Sequence, residues 1–325
     1  MDVDALLPDD YLKTTYCGGR FSALKMAGAF AARLSRLPRI RDYDVAFVTG
    51  EFFPLAPGQI EAALLPVPYV YDFGDAHFLK YSQQRRFRHT PAMVARKFEY
   101  FIARAAAVTA GNAYLADYAR QWNDNVHILP TVVPMERYVS APRRDAGCFT
   151  IGWIGSPSTA SYLDMLRGAL ERFGAETPTR LIVVGAQCQP IKNVDVRLEP
   201  WSEATEIDMI NSFDVGVMPL TDDDWARGKC AFKMIQYMAC GVPAIVSPVG
   251  ANLDVAAGGA ALLAGNDEEW LSALRCLRDD AAFRQKLGAA GRERIAASYS
   301  LENAAPKLAS ILQAVTQGQQ KSRKA

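Results

Sequence analysis

Short apolar runs alternate with longer amphipathic stretches along most of this chain of 325 residues. The short runs are rich in Val, Ile and Phe and predict strands, whereas the stretches between them have helical spacing. The predicted strands are 44–50, 68–73, 107–111, 126–133, 149–155, 180–186, 215–220 and 244–248. Because strands that alternate with helices usually pair in parallel sheets, the pattern predicts an α/β fold.

One polar segment with prolines, from Pro134 to Cys148, has neither a helical nor a strand period. We interpret it as the linker between two Rossmann-like lobes, at about 1–140 and 145–300, because a chain of this length can bury two cores. Beyond Tyr299 comes one more helical pattern, and then the sequence QGQQKSRKA. Its polar composition predicts a basic tail without regular structure at the end of 301–325.

The charges nearly cancel, with 36 Lys and Arg against 35 Asp and Glu, which argues against a general nucleic-acid-binding protein. The beginning, MDVDALLPDD, lacks the layout of a signal peptide, and no apolar run is long enough to span a membrane. These features predict a cytoplasmic protein. The six cysteines form no CxxC pair and are interpreted as reduced residues with no metal.

The predicted strand 149–155 ends in a turn that leads into a helix and carries Gly155, Ser156, Ser158 and Thr159. Such a turn presents backbone N–H groups and hydroxyls to an anion, although an N-capped helix without a ligand explains the same residues. Gly152 and Gly155 also fit a dinucleotide fold. No acidic residue follows strand 180–186 to hold a ribose, so a nicotinamide enzyme is the weaker alternative.

A second candidate site lies on the helix predicted before Gly241, where Lys229, Lys233 and Gln236 are spaced to share one polar stripe. Ligands of open α/β sheets bind beyond the carboxyl ends of the strands, so two lysines there suit a diphosphate. A pair of solvent-facing lysines is the alternative. The preceding run of three aspartates, 222–224, is interpreted as capping a helix rather than as a metal site.

Several blocks in order, IGWIGSPSTASYL, DVGVMPL and WARGKCAFKMIQYMACGVPAIVSPVGAN, resemble family 4 retaining glycosyltransferases of the GT-B fold (glycosyltransferase group 1). The resemblance extends upstream through RDYDVAFVTGEFFP, YVYDFGDAHF, VTAGNAYLADYA and VHILPTVV. It implies a nucleoside-diphosphate-sugar donor on the second lobe, an acceptor on the first, and transfer without a metal or other cofactor.

The resemblance also assigns roles on the donor side. The phosphates would be met by Gly155, Ser156, Ser158 and Thr159. Lys229 and Lys233 would neutralise the departing diphosphate, which is electrostatic stabilisation of developing charge. Family members carry two glutamates separated by seven residues on this helix, and this chain has Gly228 and Gln236 there instead. Gln236 can still hydrogen-bond a ribose hydroxyl, more weakly than a carboxylate would.

In the first lobe, the resemblance points to Asp72 as the group that positions the acceptor or acts as a base, with His77 second and Asp75 matching the same block. A strand-end aspartate that caps the next turn is the alternative for Asp72. Asn112 and Thr131 are predicted to line the cleft.

The predicted function is hexose transfer to a glycan or lipid-linked acceptor in surface polysaccharide or glycolipid synthesis. A GT-B nucleotide-sugar epimerase and a non-catalytic nucleotide-sugar-binding protein remain as alternatives. Two basic clusters of the first lobe also fit peripheral contact with an anionic inner membrane surface. They contain Lys13, Arg20, Lys25, Arg33, Arg36, Arg39 and Arg41, and Arg85, Arg86, Arg88, Arg96 and Lys97.

Related sequences begin with a strand, a helix and a second strand before a segment like LLPDDYLKTTYCGGR, which starts here at Leu6. The first lobe is therefore expected to lack a unit of roughly 30 to 45 residues.

Overall fold

Two parallel sheets, each flanked by helices, organise the computed structural model, which describes residues 2–6, 22–83, 91–141 and 147–324. Five basic residues of the predicted clusters lie outside these ranges: Lys13, Arg20, Arg85, Arg86 and Arg88. Unit 1 comprises Met1–Pro130, Gly228–Cys230 and Ala304–Ala325, and unit 2 comprises Thr131–Arg227 and Ala231–Asn303.

The sheet of unit 1 has four parallel strands in the order β1-β2-β3-β4, which are Ala46–Thr49, Tyr69–Phe73, Ala107–Ala110 and Val126–Ile128. Its helices are α1 to α6, at Ala23–Arg36, Gly58–Ala63, Lys80–Gln83, Ala92–Ala95, Lys97–Arg104 and Ala113–Arg120. Short 3-10 helices cover Leu37–Asp42 and His77–Leu79. The register places Thr49 beside Asp72 and Asp72 beside Thr109, so polar side chains meet at the carboxyl ends of three strands.

The sheet of unit 2 has six parallel strands in the order β10-β9-β8-β5-β6-β7. Strands β5 to β10 are Phe149–Ile154, Thr179–Val184, Asp195–Glu199, Val215–Met218, Ala244–Val246 and Leu262–Leu263. Helices α7 to α13 are Arg167–Glu176, Glu206–Asn211, Asp224–Arg227, Phe232–Ala239, Ala251–Val255, Asp267–Asp279 and Ala281–Ser298. Every residue of the central strands β5 and β8 is buried, because helices cover both faces of the sheet.

The predicted α/β class with two Rossmann-like sheets is confirmed, and each of the eight predicted strands overlaps an observed one. The predicted strand 126–133 ends at Ile128, since Pro130 cannot continue a ladder. Val133 instead forms an isolated parallel bridge with Ser300. The last helix, α14, covers Leu301–Lys324 and confirms the predicted helical pattern, but it continues through 317–324, where the sequence predicts a tail without regular structure. The Gln, Lys and Arg residues there are good helix formers, so they extend the helix.

No helix in the described part of the chain is both long and apolar enough to cross a membrane.

Candidate functional site

The first candidate site of unit 2 is the turn after β5. Gly155 donates its N–H to the carbonyl of Val184, which extends the ladder with β6 by one bond. The chain then enters a 3-10 helix, Pro157–Leu166, before α7 begins. Ser156 takes the N-cap position but its side chain does not cap the helix. The alternative of a simple N-cap serine therefore does not hold here.

The hydroxyls of this turn are arranged among themselves. Ser156 Oγ and Ser158 Oγ are 2.8 Å apart, and Thr159 Oγ1 donates to the carbonyl of Ser156 at 3.1 Å. The proton of Thr159 is therefore used within the turn. Because one serine hydroxyl donates to the other, the pair keeps one proton for an outside acceptor. Ser158 is exposed and Ser156 half-buried, so an anion can reach them.

Lys233 lies directly against this turn. Its ammonium nitrogen is 5.4 Å from the centre of the Trp153 ring, a cation–π distance. A Cβ on Gly155 would come within 2.5 Å of Lys233 Cε and 2.7 Å of the Trp153 ring. Glycine is thus required at 155 for the lysine to lie across the end of β5. Trp153 is buried and Lys233 half-buried, so the indole fixes the place of the positive charge.

The predicted helical stripe of Lys229, Lys233 and Gln236 is wrong in one respect. Helix α10 begins at Phe232, and Ala231 before it has a left-handed backbone with φ of 56°. Lys229 therefore precedes the helix, and the spacing of four residues does not place it on the face of Lys233. Lys229 is half-buried and belongs to unit 1, whereas Lys233 and Gln236 belong to unit 2.

Within unit 1, the segment Gly228–Cys230 is held by its backbone and by one thiol. Asn112 Nδ2 donates to the carbonyl of Lys229 at 2.9 Å, and Cys230 Sγ donates to the carbonyl of Gly74 at 3.0 Å. A Cβ on Gly228 would lie 2.5 Å from that of Ala76. A glutamate side chain at 228 would therefore collide with Ala76 unless the backbone moved.

Gln236 is buried in α10, with only 4% of its surface exposed. Its Nε2 donates to the hydroxyl of Tyr138 at 3.0 Å, and Tyr138 donates to Glu206 Oε1 at 3.1 Å. Glu206 also accepts hydrogen bonds from Trp201 Nε1 and Arg137 Nη2. Burial raises the pKa of Tyr138 to about 12, so the hydroxyl keeps its proton.

The aspartates of the run 222–224 have structural partners. Asp222 forms an ion pair with Arg227, and Asp223 accepts hydrogen bonds from the N–H of Ala226 and the hydroxyl of Thr221. The bond between Asp223 and the Ala226 N–H caps the short helix α9, as interpreted from the sequence.

In unit 1, Asp72 lies half-buried at the end of β2. Thr109 Oγ1 donates to Asp72 Oδ1 at 2.7 Å, and the Thr49 hydroxyl also bonds to this carboxylate. Burial raises the pKa of Asp72 and the two hydroxyls oppose that rise. The carboxylate therefore bridges neighbouring strands and does not cap the following turn.

His77 stands beside β1, since a Cβ on Gly50 would be 3.6 Å from its Nε2. Burial lowers the pKa of His77, while the carboxylates of Asp75 and Glu51 act in the opposite direction. The imidazole is consequently neutral near pH 7 and able to accept a proton. Asp75 is half-buried and accepts the N–H of His77 at its backbone carbonyl.

The two residues predicted to line the cleft differ in their surroundings. Asn112 is the N-cap of α6, where its Oδ1 accepts the N–H of Leu115 at 2.9 Å. With its Nδ2 bound to Lys229, this side chain holds backbone in place. Thr131 is half-buried three residues after β4 and is the first residue of unit 2.

The sequence did not single out a buried ion network in unit 1. Lys97, of which 1% is exposed, donates to Glu61 Oε1 at 3.0 Å and to Glu51 Oε2 at 3.3 Å. Lys80 and Tyr81 also bond to Glu51. Burial raises the pKa of Glu51, but these hydrogen bonds and the charge of Lys97 outweigh it, so the pKa is lowered. One feature of the sequence could have pointed to this network: Glu51 comes just after an apolar predicted strand.

Two members of the basic clusters are not surface charges. Lys97 belongs to the ion network, and Arg33 is buried between Asp4 and the carbonyl of Phe52. Arg36 also pairs with Asp4. Arg39 and Arg41 are exposed on the 3-10 helix that follows α1.

Two Rossmann-like units are the architecture of the GT-B fold of glycosyltransferases, which the solved structures named below share with this chain. Residues 148–280 match the sequence family described as glycosyl transferases group 1. A comparison with curated proteins gives no match. The predicted resemblance to group 1 glycosyltransferases is confirmed by the family match and by the solved structures that share the fold.

One of these structures is the sucrose-phosphate synthase of Thermosynechococcus elongatus, with 16% identity, a TM-score of 0.68, and coverage of 96% of this chain and 81% of that one. Anabaena HepE in complex with UDP has 13% identity and a TM-score of 0.67, covering 87% and 82%. The trehalose 6-phosphate synthase of Burkholderia multivorans has 13% identity and a TM-score of 0.64, covering 97% and 81%. At these identities, the likeness establishes the fold.

Proposed function

We propose that this protein is a retaining glycosyltransferase that moves a hexose from a nucleoside-diphosphate sugar to a glycan or lipid-linked acceptor, in the synthesis of a surface polysaccharide or glycolipid. The observation that carries the proposal is the turn after β5, where Lys233 is held against Gly155 and Trp153 and the paired Ser156 and Ser158 hydroxyls follow directly in the chain. This turn lies inside the segment that matches the group 1 family.

The chemistry proposed for this turn is stabilisation of a leaving group. When the bond between the anomeric carbon and the diphosphate oxygen breaks, negative charge grows on the diphosphate. A fixed ammonium group and a hydroxyl proton lower the energy of that state without reorganisation at the moment of reaction. Lys229 is proposed as a second cation on the strength of the sequence motif alone. The positive charge comes from side chains, so the proposal requires no metal.

In unit 1, we propose that Asp72 and His77 contact the acceptor. Asp72 is the carboxylate at the end of the central part of the sheet, and His77 is a neutral imidazole close to β1. Either group can accept the proton of an acceptor hydroxyl. His77 is neutral near pH 7, because burial lowers its pKa, so its ring can take up a proton directly.

The acceptor side also supports peripheral contact with an anionic membrane surface. Arg39 and Arg41 are exposed, and Leu24 and Leu34 of the adjacent α1 are 83% and 50% exposed. Basic and apolar groups side by side are typical of segments that lie on anionic bilayers. Such contact would bring the protein to a lipid-linked acceptor.

The test is a panel of UDP-, GDP- and dTDP-sugars, each incubated with and without alkyl glycosides and short oligosaccharides as acceptors. Release of nucleoside diphosphate that depends on the acceptor is the expected result, and EDTA should leave the rate unchanged. An epimerised donor would indicate the epimerase alternative. Binding with neither product would indicate a non-catalytic protein and contradict the proposal.

A further inference from the structure

A chain of buried hydrogen bonds in unit 2 ends at Gln236. Its members are Gln236, Tyr138 and Glu206, of which 4%, 3% and 5% of the surface is exposed. Gln236 and Tyr138 are 98 residues apart in the sequence, and Tyr138 and Glu206 are 68 apart. Their contacts are therefore made by the tertiary fold, since α8 and α10 belong to separate strand-helix repeats.

The direction of these bonds follows from Glu206. Three donors surround its carboxylate: Tyr138 OH at 3.1 Å, Arg137 Nη2 at 3.1 Å and Trp201 Nε1 at 3.0 Å. Because Glu206 accepts from all three of these donors, the single hydroxyl proton of Tyr138 points to Glu206. The oxygen of Tyr138 is then left as an acceptor.

This direction fixes the amide of Gln236. If the amide were turned over, Oε1 would face the lone pairs of Tyr138 at about 3 Å, because the hydroxyl proton is already committed. Nε2 must therefore face Tyr138, as observed at 3.0 Å. Within the part of the chain that the structure describes, the Gln236 side chain makes no hydrogen bond other than the one to Tyr138. The amide oxygen is left to accept from a ligand.

We propose that Glu206 and Tyr138 are positioning residues for the donor nucleotide, which hold Gln236 in the one amide orientation that offers Oε1 to a ribose hydroxyl. The inference rests on the proposed binding of a nucleoside diphosphate by unit 2. It gives a physical reason for glutamine at 236. A carboxylate there would compete with Glu206 for the only proton of Tyr138, and two buried carboxylates around one hydroxyl repel each other.

The first experiment measures the preference for ribose over deoxyribose. The probes are UDP, GDP and ADP with their 2′-deoxy and 3′-deoxy counterparts, titrated calorimetrically into the full chain. For the tightest of the three, we expect the ribonucleotide to bind about 3- to 10-fold more tightly than at least one deoxy form, which is the range for one neutral hydrogen bond. Tyr138→Phe and Glu206→Gln should both reduce this ratio towards one.

Tyr237→Phe is the matched control, since it removes a buried tyrosine hydroxyl from the next position of the same helix. That hydroxyl accepts the N–H of Ile154 at 3.0 Å and donates to the carbonyl of Val217 at 3.5 Å, so neither of these partners is Gln236. The control should lower the melting temperature and keep the ribose preference. A ratio that falls equally in the control would show a general structural effect and overturn the inference.

The remaining outcomes separate the inference from the proposed function. If the wild type binds no nucleoside diphosphate, the proposed function fails. If it binds without a ribose preference, or if the preference persists in Tyr138→Phe and Glu206→Gln, the positioning role is overturned and the function stands.

A second measurement needs no ligand and covers variants that lose nucleotide binding. Gln236→Glu should lower the melting temperature by several degrees, because two carboxylates then compete for the Tyr138 proton. Adding Glu206→Gln should recover part of that loss, since one carboxylate again receives the proton. Additive effects of the two substitutions would show that Gln236 and Glu206 do not interact through Tyr138 and would overturn the inference.

Discussion

Single side chains fix the charge of the proposed donor site. Lys233→Ala removes the ammonium group above Trp153 and leaves the buried faces of α10 in place. We expect kcat/KM to fall roughly tenfold to a hundredfold, because a charge-assisted contact contributes about 1.5 to 3 kcal/mol. The measurement is steady-state release of nucleoside diphosphate with the best donor of the panel.

Lys192→Ala is the control for that substitution, because Lys192 is an exposed lysine of the same unit. Its kcat/KM should stay within about twofold of the wild type, as is usual for a surface substitution. Unchanged turnover in Lys233→Ala would contradict the assignment of the diphosphate to this turn.

A second residue-scale prediction concerns the buried ion network of unit 1. Lys97→Met leaves Glu61 and Glu51 buried without their shared cation. Removing one partner of a buried ion pair costs about 3 to 5 kcal/mol, because an uncompensated charge remains. Urea unfolding of Lys97→Met should show a loss of this size.

The neighbouring Arg96→Met is the comparison, since Arg96 forms an exposed ion pair with Glu99 three residues away. Exposed pairs contribute about 1 kcal/mol or less, so this variant should unfold almost like the wild type. Equal losses of unfolding free energy in the two variants would mean that the buried ion network of Lys97 does not stabilise the protein more than the exposed pair does.

At the scale of elements, the end of β5 depends on glycine. Gly155→Ala adds a Cβ within 2.5 Å of Lys233 Cε, so the lysine or the strand end must shift. We expect weaker binding of nucleoside diphosphate with little change in overall secondary structure. Calorimetry gives the affinity and circular dichroism the helix content. Gly28→Ala, at a helical glycine with open space around it, should leave affinity unchanged.

The sequence predicted the elements with strong patterns and missed those with weak ones. Strands β5 and β8 are continuous apolar runs, so their position follows from burial on both faces. Strand β7 is a short edge strand of five residues, three of them charged, so it has no continuous apolar run. The start of α10 was also missed, because an alanine with a positive φ at 231 has no signature in the sequence.

The same limit applies to the candidate site. Ser156, Ser158 and Lys233 were found because they lie in motifs close to predicted element ends. Glu206 and Tyr138 were not, because their importance comes from hydrogen bonds across the fold between distant parts of the sequence. Arg33 and Lys97 show the reverse error: both are basic residues that the composition of their segments placed on the surface.

At the scale of the whole molecule, the exposed basic residues near α1 predict membrane behaviour. The protein should sediment with phosphatidylglycerol vesicles at low salt and be released at high salt. It should not sediment with phosphatidylcholine vesicles. Combining Arg39→Ala with Arg41→Ala should weaken binding, at about 1 kcal/mol for each residue. Arg172→Ala, an exposed arginine of unit 2, is the control. No sedimentation at low salt would reject the membrane contact.

The two ends of unit 2 are joined to each other by backbone hydrogen bonds. Val133 donates its N–H to the carbonyl of Tyr299, and Leu301 donates to the carbonyl of Val133. Unit 2 is in this sense an insertion whose ends meet, so it adds little to the loop-closure entropy of unit 1. During synthesis on the ribosome, unit 2 is complete once Asn303 has emerged, whereas unit 1 still awaits the helix residues from Ala304 onward. Unit 2 is thus able to fold first, while the rest of the chain is still being made.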